Sequence, residues 1–361
     1  MLIVRLCRTY PRIRNPGIGL HCYNFSKYIK SPTIIFTKKM QSFPVDIPSN
    51  VNLQQIAYKD FSFDNEQEGL FKSFFIIISK MWGELIFFKK SLFFLKKNKT
   101  KVDIIHLHSI NYLLTAYLLS IFFGARMVMN FGGTDLVRLK RYKFLSWFAK
   151  KSQKVFFVAR SMENDLLEFF SPEQLVYVSN GVNTKQFKPK NKKRKRQFIA
   201  VGNLRWQKGY PYLIDAFKKI IIKDKGWKLI IVVEGIMKNF IEKKIHEFNL
   251  QQNVILIGTQ KRNDIVNLMN ISYGFVMSSV SEGFPKVLIE AISCATPVVV
   301  TDVGECRHIA KGVGLVAKPR DSDNLANMML KLINDKDSWE KYSNQCLKIR
   351  KQFDWKFMVS R

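Results

Sequence analysis

The amino-acid sequence predicts an α/β protein made of two doubly wound, Rossmann-like domains. Its 361 residues are long for one hydrophobic core, which favours two. Near-continuous apolar runs of strand length recur along the chain, separated by stretches long enough for helices. That is the pattern of parallel sheets covered on both faces. The rhythm runs through the first half and restarts at "QFIAVG" (197–202), giving about six strands each time. With 47% apolar and 13% aromatic residues, the chain has the material for packed cores rather than disorder.

The elements of the first half follow in order. "LIVRLC" (2–7) reads as a first strand and not a signal peptide, because no long apolar core or small-residue cleavage site accompanies it. "TIIFT" (33–37) is the next strand. In 71–99, apolar residues are broken every few positions by lysine, with Trp82 and many phenylalanines among them. Two readings stand: a basic helix lying on a membrane surface, or a core helix with a solvated lysine face. "DIIHLH" (103–108) is a strand. Residues 110–131 are long enough to suggest a membrane span, but Gly124 and Arg126 interrupt them. They predict a buried helix over about 111–122 and a buried strand over 126–131. "KVFFVA" (154–159) and "LVYVSN" (175–180) complete the set.

The basic run "KQFKPKNKKRKRQ" (185–197) reads as a solvated linker, with a nucleic-acid or phosphate patch as the alternative. The expected division is a first domain over 1–187, a linker over 188–197, a second domain over 198–344 and a C-terminal segment over 345–361. Strands of the second domain are "KLIIVVEG" (228–235), "NVILIG" (253–258), "GFVMSS" (274–279), "PVVVTD" (297–302) and "GLVA" (314–317).

Charge bounds the partners. Against 28 Asp and Glu stand 59 Lys and Arg, a net charge of +31. Such a field attracts nucleic acid, anionic lipid or phosphorylated substrates. The five cysteines have no paired spacing, which argues against a disulfide framework or zinc site and suits a reducing cytosol.

In open α/β sheets, ligands sit at the carboxyl ends of strands. The loop most able to do chemistry is "SEGFPKVLIE" (281–290). Pro285 suits the first position of a helix, and Gly283 lets a ligand approach the backbone. The open N–H groups of that helix start suit a phosphate, with Lys286 adding charge. Glu290, about one and a half turns in, can accept from vicinal hydroxyls such as those of a ribose, and Glu282 can reach another polyol. Spacing alone leaves this beside an ordinary loop and core helix. His106 and His108 alternate on a strand and share a face. They lack a third metal ligand, so buried, satisfied imidazoles are expected, with one lining the acceptor side.

The segment 281–290 resembles the E-x7-E region of family 4 retaining glycosyltransferases, which have the GT-B fold. "AVGNLRWQKGYPYLIDAF" (200–217), "SNGVNTKQFKP" (179–189), "VDIIHLHS" (102–109), "NFGGTDL" (130–136) and "PVVVTDVGECRHI" (297–309) resemble further segments of that family, in family order and over most of the chain. The resemblance implies two Rossmann-like domains facing across a cleft, with the C-terminal segment crossing back to the first. It implies that Glu290 holds the donor ribose. Glu282 faces the transferred sugar, with the backbone of Gly283 and Phe284. Lys208 contacts the diphosphate beside the helix starting near Pro285. Gly17 and Gly19 form the first domain's glycine turn.

Three positions depart from the family pattern. Asn203-Leu204 replaces the usual Arg-Leu, so Arg205 either supplies the guanidinium or is a plain exposed arginine. Gly132 stands where a histidine is frequent, leaving Asp135 to meet an acceptor hydroxyl or to cap the next helix. "IIVVEG" lacks the usual second glycine, so Glu234 and Gly235 line the site differently.

The implied activity is transfer of a sugar from a nucleotide-diphosphate donor to a hydroxyl of a lipid-linked or soluble glycan, with retention and without metal or other cofactor. The charge and the Lys/Phe-rich face fit a peripheral enzyme on the cytoplasmic side of an anionic membrane, in O-antigen or capsule assembly. The rivals are a basic nucleic-acid-binding protein, which lacks aromatics interleaved with its basic run, and a same-fold sugar phosphorylase or epimerase.

Overall fold

The computed structural model describes residues 1–7, 20–39, 47–57, 70–232 and 234–359. Contacts divide the chain into two compact units. One holds 1–158 with 162–178, the other 159–161 with 179–361.

The first unit carries a seven-stranded parallel sheet: β1 (Ile3–Cys7), β2 (Thr33–Lys38), β3 (Val51–Ile56), β4 (Ile104–Leu107), β5 (Arg126–Phe131), β6 (Lys154–Phe157) and β7 (Leu175–Tyr177). Its order is β3-β2-β1-β4-β5-β6-β7. The second unit carries a six-stranded parallel sheet: β8 (Lys195–Val201), β9 (Lys228–Val232), β10 (Val254–Leu256), β11 (Ser272–Met277), β12 (Val298–Thr301) and β13 (Gly314–Ala317). Its order is β10-β9-β8-β11-β12-β13. Both sheets are doubly wound. Strand order reverses between β1 and β4 in one, and between β8 and β11 in the other, and such switch points are where this topology opens a crevice for ligands.

Every strand read from the sequence is present, with ends shifted by up to three residues. β3 is the addition. Among the described residues it pairs only with β2 and reads "VNLQQI", with only Ile56 buried. An edge strand need not be apolar on both faces, so a search for continuous apolar runs passes over it.

One helix, Leu70–Lys97, spans that stretch. Phe87, Ser91 and Leu95 are fully buried, a stripe at four-residue spacing facing the core. Phe87 stacks on Tyr112 at 4.2 Å. Trp82 and Phe93 are exposed at 63% and 69%. Residues 110–131 form a short 3-10 turn, helix Leu113–Phe123 closed by Gly124, and β5. Among the described residues no helix is long and apolar enough to cross a membrane.

The basic run is not wholly a solvated linker. β8 begins within it, at Lys195. Arg194 points inward, and its two terminal nitrogens donate to the carbonyls of Met269, Ser272, Cys294 and Ala295 and to Thr296 Oγ1. Five bonds to one guanidinium satisfy carbonyls left over at helix and strand ends. Residues 191–193 remain exposed. Phe187 is 1% exposed and belongs to the core of the second unit, with Val182. The contact boundary thus falls at 178/179 rather than 187/188. Residues 345–359 group with the same unit: Asp354 bridges to Val182, and Trp355 lies against Gly181, where any Cβ would meet its ring at 2.6 Å.

Candidate functional site

The switch point of the second sheet joins two loops, 202–209 after β8 and 278–285 after β11. Two glycines set their geometry. Gly209 has φ 63°, and a Cβ there would overlap the carbonyl oxygen of Ser278. That close approach lets Ser278 Oγ donate to the Lys208 carbonyl at 2.9 Å and Val280 N donate to the Gln207 carbonyl at 2.8 Å. Gly304, with φ 53°, abuts the carbonyl oxygens of Glu282 and Gly283, and Glu305 N donates to the Gly283 carbonyl at 3.1 Å. The segment Glu282–Gly283 is therefore held between two turns that only glycine fits.

This clamp brings Lys208 and Glu282 together. Lys208 Nζ donates to Glu282 Oε1 in an ion pair, and Ser279 Oγ donates to the same oxygen at 2.9 Å. Thr301 Oγ1 ties the Ser279 carbonyl to β12 at 2.6 Å. Their side chains keep 28% and 13% exposure, so the pair is shielded yet reachable. A Cβ at Gly283 would meet nothing within 4 Å, which leaves space beside that backbone.

Helix Lys286–Ser293 follows directly, with Pro285 as its N-cap, one residue before the position expected. Leu288, Ile289, Ala291 and Ile292 are fully buried and fix the helix; Phe284 packs partly buried against the same core. Glu290 lies on the remaining face at 15% exposure, and its Oε1 accepts from Arg262 Nη2 at 2.7 Å. Lys286 sits one turn earlier. Crowding by protein atoms lowers its amine below the usual lysine value, Arg262 acts the same way, and Glu290 opposes. Arg205 caps the turn Trp206–Lys208 and is exposed, with no side-chain partner among the described residues. Glu234 is exposed, and its carbonyl accepts from Leu204 N at 3.3 Å. Gly17 and Gly19 lie outside the described residues.

In the first unit, Asp135 has both oxygens engaged. Oδ2 accepts from Gly132 N at 3.0 Å and Oδ1 from Ile110 N at 3.1 Å, so it caps helix Gly133–Arg141 and ties two loops. Burial raises its pKa; the two backbone bonds and Arg138 oppose the rise. His108 belongs to a buried cluster. Arg5, fully buried, donates Nη1 to His106 Nδ1 at 2.5 Å and to His108 Nε2 at 3.1 Å. His106 Nε2 meets Asn130 Oδ1 at 2.6 Å. An arginine has only donors, so His106 carries its proton on Nε2 and His108 on Nδ1. The rings stack at 4.1 Å, as their alternation predicts.

Two features escaped the sequence reading. Arg262 is a lone arginine, 28 residues before the glutamate it holds. Cys7 and Cys22, unpaired by spacing, share one small buried cluster; a hydrogen bond with Cys22, then burial, pushes the Cys7 thiol well up. Among the described residues no group of three His, Cys, Asp or Glu is placed to hold a metal ion.

A family model described as "Glycosyltransferase Family 4" matches residues 59–186, and one described as "Glycosyl transferases group 1" matches residues 182–349. An uncharacterized glycosyltransferase of Methanocaldococcus jannaschii is 32% identical over 204 residues, 45% of this chain and 49% of that protein. The matches to the first curated relatives span 49%, 60% and 65% of their lengths, under two thirds in each case. The UDP-Gal:alpha-D-GlcNAc-diphosphoundecaprenol alpha-1,3-galactosyltransferase of Escherichia coli is 27% identical over 278 residues, 68% of this chain and 71% of that protein. Among solved structures, Anabaena HepE in complex with UDP is similar with TM-score 0.77 at 16% identity, covering 100% of this chain and 98% of that one. Sucrose-phosphate synthase from Thermosynechococcus elongatus gives 0.78 at 17%, covering 100% and 96%. At those identities the likeness concerns the fold. The two family models, the ordered loops and the pair of doubly wound sheets place the chain in one family: it belongs to the family 4 glycosyltransferases and has their GT-B fold.

Proposed function

We propose that this chain is a retaining glycosyltransferase that moves a sugar from a nucleotide-diphosphate donor to a hydroxyl of a lipid-linked glycan, in assembly of a surface polysaccharide such as O-antigen or capsule. The observation that carries the reading is the switch-point loop of the second unit. It holds Glu282 against Lys208 and is followed at once by a helix whose open face carries Glu290.

Each group has a chemical task in this reading. Lys208 and the backbone N–H groups opening helix Lys286–Ser293 supply positive charge to the departing diphosphate. Glu282 shares that lysine until the donor arrives, then faces the transferred sugar across the open space at Gly283. Glu290 accepts from the ribose diol. Arg205, exposed and with no side-chain partner among the described residues, is a second cation for the phosphates. The bond from the anomeric carbon to the diphosphate breaks while the acceptor oxygen bonds on the same face. The acceptor proton passes to a diphosphate oxygen, so no protein general base is required. The reading assigns no metal or other cofactor.

The acceptor and the setting rest on separate support. The E. coli relative is named for a diphosphoundecaprenol acceptor. The first unit exposes Trp82, Phe93, Ile121, Phe122 and Trp147. Lys96 Nζ lies 4.4 Å from the Phe122 ring and Lys151 Nζ 5.2 Å from the Trp147 ring. Aromatics interleaved with lysines suit the headgroup zone of an anionic bilayer, here taken as the cytoplasmic leaflet. A nucleic-acid role for the basic run is disfavoured because Arg194 is spent on internal carbonyls.

The test is a panel of nucleotide sugars assayed for nucleoside diphosphate release and thermal stabilisation, with product analysis to separate transfer from phosphorolysis and epimerisation. One donor should stabilise the fold by about 2.7 kcal/mol at a hundredfold excess over Kd, read as a raised unfolding midpoint. A salt-sensitive DNA shift with no donor bound would overturn the reading.

A further inference from the structure

We infer that Arg262 is a positioning residue for the donor's ribose: by holding one oxygen of Glu290, it fixes the carboxylate that accepts from the vicinal hydroxyls. This rests on the donor reading above and extends it to a residue outside the 281–290 segment.

Arg262 is the first residue of helix Arg262–Ile271. Its Nη2 donates to Glu290 Oε1 at 2.7 Å, and the two side chains keep 30% and 15% exposure. The guanidinium carbon lies 4.9 Å from the centroid of the Phe187 ring. Phe187 is 1% exposed and packs in the core that anchors helix Lys286–Ser293. The guanidinium is thus held twice, over an aromatic ring and by a charge-assisted bond.

The geometry suits a support better than a plug. A glutamate on a helix has three side-chain torsions to freeze, and ordering such a side chain costs conformational entropy. Arg262 meets that cost before the donor arrives. A carboxylate offers about four acceptor positions. One is used by Arg262, and Glu290 Oε2 has no partner among the described residues, so capacity remains for two hydroxyls. Arg262 also offsets the charge of Glu290 where a diphosphate would come close. The competing cation, Lys286, stands one turn earlier on the same helix.

A merely structural tie between the two helices makes a different prediction, because its loss would weaken all ligands alike. The test therefore measures discrimination at the ribose. The full chain is titrated with UDP, ADP and GDP and with their 2′-deoxy analogues, in wild type, Arg262→Met, Arg262→Lys and Glu290→Gln, with unfolding midpoints as the fold control. The wild type should bind one ribonucleotide about tenfold or more tighter than its deoxy form, the range of one hydrogen bond to a charged group. Arg262→Met should weaken the ribo form about tenfold and the deoxy form, which keeps only its 3′-hydroxyl for Glu290, by clearly less, as should Glu290→Gln, and Arg262→Lys should restore part of the difference. Undiminished discrimination in Arg262→Met, or equal weakening of both forms, overturns the positioning role. A wild type that binds none of the three nucleotides overturns the donor reading itself, and this inference with it.

Discussion

Ser278 Oγ donates to the backbone carbonyl of Lys208 at 2.9 Å, so the residue just after β11 fixes the loop that carries the site's lysine. The bond forms because Gly209 lets the two loops approach to contact. A backbone fit in one place thereby sets a charge pair in another: with the loops apart, Lys208 would not reach Glu282.

Gly209→Ala should break that relationship. The new Cβ meets a backbone carbonyl, and the left-handed conformation is strained for alanine. The expected loss is about 1–3 kcal/mol of stability, with a larger loss of donor-dependent turnover because Lys208 moves. Chemical denaturation alongside nucleoside diphosphate release checks both. Wild-type turnover with an unchanged midpoint would refute the clamp.

Glu84 should give the fold a pH dependence. Burial pushes its carboxyl up to about 8, opposed by backbone bonds from Thr115 and Leu114; it accepts from Thr115 N at 3.2 Å. The folded state keeps this proton between the ordinary carboxylate range and pH 8, whereas the unfolded state has lost it. Protons bound to the native form exceed those bound to the unfolded one, so stability falls as pH rises. The contribution is complete below about pH 4 and lost as pH passes 8. Denaturation of wild type and Glu84→Gln from pH 5 to 9 should show a difference that moves in the variant's favour as pH rises. A constant difference would contradict the assignment.

The exposed aromatic and basic face should bind anionic vesicles. Sedimentation with phosphatidylglycerol vesicles is expected to retain the protein at low salt and release it as salt rises, each nearby lysine contributing about 1 kcal/mol. Phe93→Ser combined with Ile121→Ser should weaken retention severalfold without shifting the unfolding midpoint, since both side chains are over 60% exposed. Equal retention on neutral vesicles, or none at physiological salt, would remove the membrane setting from the proposal.

The sequence showed best what depends on long apolar runs and on glycine-bearing loops. The strands of both sheets other than β3, the helix at 113–123 and the carboxylates at 282 and 290 could be read because their letters are close together or periodic. What it hid depends on side-chain direction. β3 is polar because it is an edge. Arg194 sits among lysines and looks like them, yet turns inward to five acceptors that no local pattern announces. Asp135 could have capped a helix or met an acceptor; the structure has both its oxygens on backbone N–H groups. Arg262 was invisible because its partner lies across two connecting segments.

The central claim, that Glu290 is the donor's ribose contact, is tested most directly by donor affinity in Glu290→Ala. Its side chain is part exposed and its helix is anchored by four other residues, so the unfolding midpoint should move little. Donor Kd should rise by about tenfold to a hundredfold, the loss of hydrogen bonds to a charged group. Unchanged donor affinity in a folded variant would contradict the account.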